Sequence, residues 1–187
     1  KQGFFLITLI SIFMTSCTPN QTPLVIGHRG AKGHLAENTL PSIAKAIELG
    51  VDGVEIDIFR CASGELVVFH DKTLDKLTNT TGYIEQLTLD SIQKIEVLNG
   101  FTIPTLEEVL DLIKGRVFLN IELKGYPKSK LIYCNLLIDL LHKYDNILYF
   151  TSTFNKEIYN ILISNDIKCY LISDKHDKPS DIVHYSQ

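Results

Sequence analysis

The sequence is poor in features that define several large classes of protein. Of its four cysteines, the three beyond Cys17 lie too far apart for a disulfide framework or a zinc site, so we expect buried thiols at Cys61, Cys134 and Cys169. No apolar run reaches the roughly 20 residues that a transmembrane helix needs. Acidic residues outnumber basic ones and give a net charge of −4, which disfavours nucleic acid as a partner. Without internal repeats or low-complexity segments, one globular domain is expected.

The N-terminal residues are typical of an export signal and not of a folded domain. Phe4–Met14 is an apolar run of about eleven residues that follows a basic residue and ends at small polar ones. Cys17 comes directly after them and resembles the lipidated cysteine of bacterial lipoproteins; an ordinary cleaved signal with an incidental cysteine, or a buried helix, is the alternative. We expect a signal peptide at 1–16, lipidation of Cys17, a polar tether at 17–23 and an exported protein that is lipid-anchored to a bacterial membrane on the cell-envelope side.

Strands and helices alternate along residues 24–187, which predicts βαβ units and an α/β fold with a parallel sheet. A (β/α)8 TIM barrel usually takes about 250 residues, and only about six strands can be counted here, so we expect an incomplete barrel that lacks its last two strand–helix units. Either the chain is a fragment or the sheet stays open. The predicted strands are 24–28, 53–58, 65–70, 117–123, 147–151 and 168–172, and the predicted helices are 40–49, 106–114, 129–144 and 156–164.

Three local features refine this fold. Residues 71–100 are polar and turn-rich, so we expect a loop insertion after the third strand with one short helix near 89–95. Asn38 and Thr39 are expected to cap the first helix. The leucines of the helix at 129–144, beginning with Leu131, are expected on its buried side.

Acidic side chains lie within two apolar strands. Glu55 and Asp57 alternate with branched apolar residues and so share one face of their strand, while Glu122 lies in a similar strand that is followed by Lys124. A parallel sheet is covered by helices, so these carboxylates would be enclosed and would need positive partners. Three carboxylates suit Mg²⁺ or Ca²⁺ better than zinc. The alternative is a polar sheet face that is open to solvent.

Histidines and cations follow the same strands. A single histidine at a strand end would be a structural residue, but His28 and His70 together can divide the two proton transfers of phosphodiester cleavage. Arg29 and Lys124 either balance the carboxylates or bind phosphate, and both readings can hold at once. Glu37 can accept from a substrate hydroxyl, orient Arg29, or favour the following helix N-terminus as an acidic residue.

Six motifs, in order and spacing, resemble the glycerophosphodiester phosphodiesterase family. The resemblance is close over about residues 25–124 and extends to 172 in element order only. Ala36 departs from the family, which commonly has proline there, and the later strands that close the barrel in relatives are not found. The chain looks like a lipoprotein-type member that is truncated at its C-terminus. The motifs are His28-Arg29-Gly30, Glu37-Asn38-Thr39, Glu55-Ile56-Asp57, His70-Asp71, the run IPTLEEVL at 103–110, and Glu122-Leu123-Lys124.

The resemblance implies a phosphoric diester hydrolase. It implies that His28 and His70 are the acid/base pair and that Glu55, Asp57 and Glu122 bind one divalent cation, Ca²⁺ or Mg²⁺. The implied reaction is metal-dependent hydrolysis of a small glycerophosphodiester to sn-glycerol 3-phosphate and an alcohol. Two alternatives stay open: the same residues could act on a lysophospholipid or another lipid phosphodiester, or the barrel could be a non-catalytic lipoprotein that serves as a binding module.

Overall fold

The structure is a computed structural model that describes residues 23–125, 127 and 129–173. The predicted signal peptide, Cys17 and the tether up to residue 22 lie outside the described residues. None of the helices in the described part is both long and apolar enough to span a bilayer.

The described residues form strands and helices in near-regular alternation. Most boundaries lie within two residues of those predicted, and the last helix has the predicted bounds. The strands are β1 (Ile26–His28), β2 (Gly53–Arg60), β3 (Leu66–Val68), β4 (Glu96–Val97), β5 (Phe101–Thr102), β6 (Phe118–Leu123), β7 (Tyr149–Thr153) and β8 (Cys169–Leu171). The helices are α1 (Leu40–Glu48), α2 (Leu89–Ile92), α3 (Leu106–Ile113), α4 (Lys130–Leu141) and α5 (Lys156–Ser164), with one 3₁₀ turn at Ile84–Gln86.

The main sheet has the order β1-β2-β6-β7-β8, and every neighbouring pair on this path is parallel. Helices connect these strands, as the βαβ prediction requires. The third predicted strand is the exception: β3 pairs antiparallel with the end of β2, so it forms a hairpin and is not a barrel strand. The described sheet therefore has six strands, the number predicted, of which five are parallel. The third is an antiparallel hairpin strand and not the parallel barrel strand that the predicted alternation implied.

Apolar side chains of the sheet and its helices form one core. Ile56 of β2, Leu119 of β6 and Val109 of α3 are fully buried in it. The α3 N-terminus has the predicted capping box, because Thr105 accepts from the Glu108 amide while Glu108 accepts from the Thr105 amide. The three cysteines are free, buried thiols, as expected. The prediction for Leu131 is wrong, because its side chain is exposed. Leu137 and Leu141 are buried as predicted, together with Tyr133, Cys134 and Ile138.

Residues 71–100, predicted as a loop insertion, have secondary structure of their own and pack against the rest of the fold. It contains the 3₁₀ turn, α2 and the β4–β5 hairpin. Leu74, Ile84 and Ile92 are fully buried, and they pack with Phe59 and Phe69 from the β2–β3 hairpin into a second apolar cluster. This cluster holds the chain that follows β3 against one end of the sheet, and His70 lies in that chain.

Candidate active site

Three buried carboxylates meet near the carboxyl ends of β2 and β6. The parallel register places Asp57 opposite Glu122, while Glu55 lies two residues earlier on the same face of β2. One carboxylate oxygen of each residue lies within 4.8 Å of those of the other two. This separation is about twice the 2.3–2.6 Å calcium–oxygen distance, so the three oxygens are close enough to share one ion. The predicted acidic trio is therefore a real spatial cluster.

The trio has few hydrogen bonds for its burial, and two of its carboxyl groups have raised pKa values. Glu55 Oε1, Asp57 Oδ1 and Glu122 Oε1 are buried without a hydrogen-bond partner among the described residues. Burial, reinforced by the charge of Asp57, raises the pKa of Glu55 to about 8. Burial also raises the pKa of Glu122, although Lys124 opposes the shift. An all-oxygen donor set with orphaned oxygens fits a hard divalent cation.

Arg29 and Glu37 form one side of the trio. The Arg29 amide donates to Glu55 Oε2 at 2.8 Å, and its guanidinium lies 2.7 Å from Glu37 Oε1 and 3.4 Å from Asp57 Oδ2. The hydrogen bond to Glu37 and the charge of Asp57 outweigh burial and raise the pKa of Arg29. The backbone here turns tightly through positive φ at Arg29 and Gly30, and a Cβ on Gly30 would lie 2.7 Å from Ser42 Oγ. Of the roles considered for Glu37, the one the contacts support is orientation of Arg29.

Lys124 forms the opposite side. Its ammonium lies 3.2 Å from Asp57 Oδ1 and 2.5 Å from Glu122 Oε1, as ion pairs and not as aligned hydrogen bonds. Burial alone would lower the pKa of Lys124, but these two carboxylates outweigh it and raise the pKa. The cation is therefore held in the charged state beside the trio.

Asn38 is a member of the site that the sequence interpretation missed. Thr39 is the N-cap of α1, so the expectation that Asn38 shares this role is wrong. Asn38 is buried at a φ of 57°. Its Nδ2 donates to Asp57 Oδ2 at 2.8 Å and its Oδ1 accepts from the Asp57 amide at 3.3 Å. The Glu37-Asn38-Thr39 motif thus orients Arg29, fixes Asp57 and begins α1. An asparagine directly before a good N-cap residue was the available signal.

The two predicted histidines flank the cluster. His28 Nε2 lies 3.7 Å from Glu55 Oε2, and burial, with Lys32 and Arg29 nearby, lowers the pKa of His28. His70 Nδ1 lies 2.6 Å from Asp71 Oδ1. The Asp71 carboxylate accepts the Nδ1 proton, which leaves Nε2 as the nitrogen available for chemistry.

A cleft of about 310 Å³ opens beside His70 and Lys124. It lies beyond the ends of β6 and β7, where parallel α/β folds place their binding sites. Phe59, Lys72 and Phe154 line it. Residues 153–155, the last residue of β7 and the two after it, were not assigned to the site from sequence, although their place at a strand end was a usable signal.

The fold and this cluster define the class of the protein: a barrel-type α/β protein with a candidate cation site at the carboxyl ends of its strands. The model of the glycerophosphoryl diester phosphodiesterase family matches residues 28–179, and the chain belongs to that family.

Individual relatives agree with this assignment. The chain is 44% identical over 123 residues to a glycerophosphodiester phosphodiesterase of Caldanaerobacter subterraneus, covering 58% of this chain and 51% of the relative. It is 37% identical over 110 residues to one of Bacillus altitudinis, covering 54% and 45%. The chain thus spans about half the length of these curated relatives.

Solved structures confirm the fold. An Oleispira antarctica phosphodiesterase in complex with the product sn-glycerol-3-phosphate is similar with a TM-score of 0.76 and 28% identity, over 81% of this chain and 66% of the other. The glycerophosphodiester phosphodiesterase of Thermotoga maritima has a TM-score of 0.69 and 27% identity, over 83% and 65%. The predicted TIM-barrel type of α/β fold is therefore confirmed.

Proposed function

We propose that the protein hydrolyses glycerophosphodiesters, with the help of a divalent cation, to sn-glycerol 3-phosphate and an alcohol. The observation that carries the proposal is the trio of buried carboxylates, which have oxygens within 4.8 Å of one another and are flanked by two cations and two histidines. The curated relatives carry this activity in their names, and one similar structure holds sn-glycerol-3-phosphate as its product.

In this proposal Glu55, Asp57 and Glu122 hold the cation. When bound, it supplies Lewis acidity and positive charge for the phosphate. Arg29 and Lys124 hold the carboxylates in place, and their remaining N–H donors are available to the phosphate oxygens.

We assign the proton transfers from the surroundings of the two histidines. The lowered pKa of His28 leaves it neutral at pH 7 and suited to accept a proton from the attacking hydroxyl. The Asp71 carboxylate accepts from His70 Nδ1 at 2.6 Å and orients the ring, so His70 Nε2 is the nitrogen that we assign to deliver a proton to the leaving alkoxide. The attacking hydroxyl is either that of water or the 2-hydroxyl of the substrate glycerol, and a cyclic phosphate would accumulate transiently only in the second case.

The test is a coupled assay in which a dehydrogenase detects glycerol 3-phosphate released from glycerophosphocholine. We expect turnover that EDTA abolishes and that Ca²⁺ or Mg²⁺ restores. His28→Ala should lose turnover, whereas His142→Ala, a change just after α4 and far along the chain from the site, should keep it. Turnover that is insensitive to the chelator would remove the cation from the proposal. No turnover of any phosphodiester by a folded protein would favour the binding-module alternative.

A lipid phosphodiester is the second candidate substrate. Phe154, which is 51% exposed, and Phe59 give the cleft an apolar wall that could contact an acyl chain. Lysophosphatidylcholine in the same assay, with choline release as the readout, separates the two substrates. A preference for the lysolipid that Phe154→Ser abolishes would favour this candidate.

Export and lipid anchoring through Cys17 also remain proposals. They rest on the short apolar run and the small residues before Cys17. Incorporation of a labelled fatty acid into the full-length chain, and its loss in Cys17→Ala, would support them. A protein that fractionates with the cytosol in both forms would contradict them.

A further inference from the structure

The charged groups on the wall of the cleft suggest how the substrate's head group is chosen. The cleft beside His70 is lined by Lys72 and Lys124, and none of the described residues that line it is a carboxylate. The carboxylate of Asp71 is bonded to the His70 ring and is not part of this lining. The charged side chains of the lining are therefore both lysines, and the Glu85 carboxylate lies behind Gly125.

The two lysines of this wall differ in their partners. Lys124 is neutralised by Asp57 and Glu122. Lys72 is exposed, and no carboxylate among the described residues lies within ion-pair distance of it. Its ammonium lies 5.3 Å from the centroid of the Tyr83 ring. Of the two lysines that line the cleft, Lys72 is thus the one whose ammonium is not neutralised by a described carboxylate and can pair with a negatively charged ligand.

The backbone holds Lys72 in place. The Ile84 amide donates to the Lys72 carbonyl at 3.2 Å, and Thr73 forms an antiparallel bridge with Tyr83. Leu74 and Ile84, on either side of this bridge, are fully buried in the second apolar cluster. The position of Lys72 two residues after His70 is therefore set by packed structure and not by a free loop.

We propose that Lys72 is a specificity residue, which favours glycerophosphodiesters whose alcohol carries negative charge over those whose alcohol is a quaternary ammonium. The inference rests on the proposed function. The glycerol half of every such substrate is uncharged, so a charge on the cleft wall can discriminate only through the other alcohol. An alcohol that bears a phosphate or a carboxylate is attracted to Lys72, and a choline-type alcohol is repelled.

The size of the effect follows from the exposure of the site. Two unit charges 4 Å apart in water interact by about 1 kcal/mol, which is roughly fivefold in binding. Attraction in one substrate and repulsion in the other together give a preference on the order of tenfold at low salt. Because Lys72 is exposed, salt screens this preference strongly.

The experiment compares kcat/KM for glycerophosphoinositol 4-phosphate, glycerophosphoglycerol and glycerophosphocholine at low and high salt. We expect the kcat/KM of the anionic substrate, divided by that of the choline substrate, to fall on the order of tenfold in Lys72→Gln and further in Lys72→Glu. The change should come mostly from KM, and the kcat/KM of the neutral substrate should change by an intermediate amount. Lys76→Glu makes the same change in net charge at an exposed lysine outside the cleft lining and should leave the ratio unchanged.

The outcomes separate the two proposals. Turnover of all three substrates with a ratio that Lys72→Glu leaves unchanged would overturn this inference and leave the proposed function intact. A ratio that shifts equally in Lys76→Glu would also overturn it, because the effect would then come from net charge. No turnover of any of the three substrates by the wild type would refute the proposed function and this inference with it.

Discussion

Removal of divalent cations should make the folding stability of this protein fall as the pH rises from 5 to 8. The cause is Glu55, whose pKa is raised to about 8 in the folded protein by burial and by Asp57, against a value of 4.5 for an ordinary glutamate. Between these values the folded state keeps a proton that the unfolded chain has released. The carboxyl therefore contributes its full stability below pH 4.5 and loses it as the pH rises towards 8.

The magnitude follows from one proton per molecule. Each pH unit in this window lowers the free energy of unfolding by about 1.4 kcal/mol at most. Between pH 5 and 8 the largest possible loss of folding stability is therefore about 4 kcal/mol. The raised pKa of Glu122 adds to the loss. The lowered pKa of His28 has the opposite effect on stability around pH 6.5, because there the unfolded chain binds a proton that the folded state does not bind. The difference between the wild type and Glu55→Gln isolates the glutamate.

The assay is urea unfolding followed by circular dichroism, because the chain has no tryptophan. In EDTA the free energy of unfolding should fall with pH for the wild type, and the fall should be much smaller for Glu55→Gln. Glu48→Gln, which changes an exposed carboxylate of α1, should keep the wild-type slope. Saturating Ca²⁺ or Mg²⁺ should abolish the slope, because a bound cation keeps the trio ionised. A wild-type slope in EDTA that matches that of Glu55→Gln would refute the reasoning.

Three further predictions concern single side chains. His28→Ala and His70→Ala should each lower kcat/KM by roughly 10²–10⁴-fold with little change in melting temperature, and full activity in either variant would remove its acid/base role. Asn38→Ala should weaken cation binding, measured by calorimetry, by roughly 10–100-fold because Asp57 loses both side-chain contacts; unchanged affinity would contradict a positioning role. Tyr133→Phe should cost about 0.5–1.5 kcal/mol in urea unfolding, since the Ile58 carbonyl of β2 loses its 2.7 Å hydroxyl donor but keeps the Lys124 amide at 3.0 Å; a loss above about 3 kcal/mol would contradict this role for the Lys124 amide.

The parts of the fold that could be predicted depend on short-range signals. The capping box that begins at Thr105 and the bounds of α5 follow from neighbouring residues, and the structure has both. The shared face of Glu55 and Asp57 follows from the period of a strand. That Glu122 lies beside Asp57 follows only if β2 and β6 are parallel neighbours in the sheet. The alternation of strands and helices along the chain predicts a parallel sheet.

The features that were missed depend on long-range packing. The apolar residues of β3 predict a barrel strand, yet only a short turn separates it from β2, which is enough for a hairpin and too short for a parallel crossover. The polar composition of 71–100 concealed apolar residues such as Leu74 and Ile92, whose burial appears only when they meet the hairpin. The role of Asn38 depends on Asp57, 19 residues away.

The charged groups of the site leave an excess of negative charge, which links the stability of the protein to its proposed chemistry. Two cations lie among four carboxylates, which leaves two negative charges in a buried cluster when all groups are ionised. The groups are Arg29 and Lys124 against Glu37, Glu55, Asp57 and Glu122. A protein can relieve an excess of negative charge by holding a proton, as the raised pKa of Glu55 indicates, or by binding a divalent cation, whose two positive charges would balance it. The proton and a divalent cation would therefore compete for the same oxygens, so we expect the apparent affinity of the cluster for such a cation to rise with pH up to about 8.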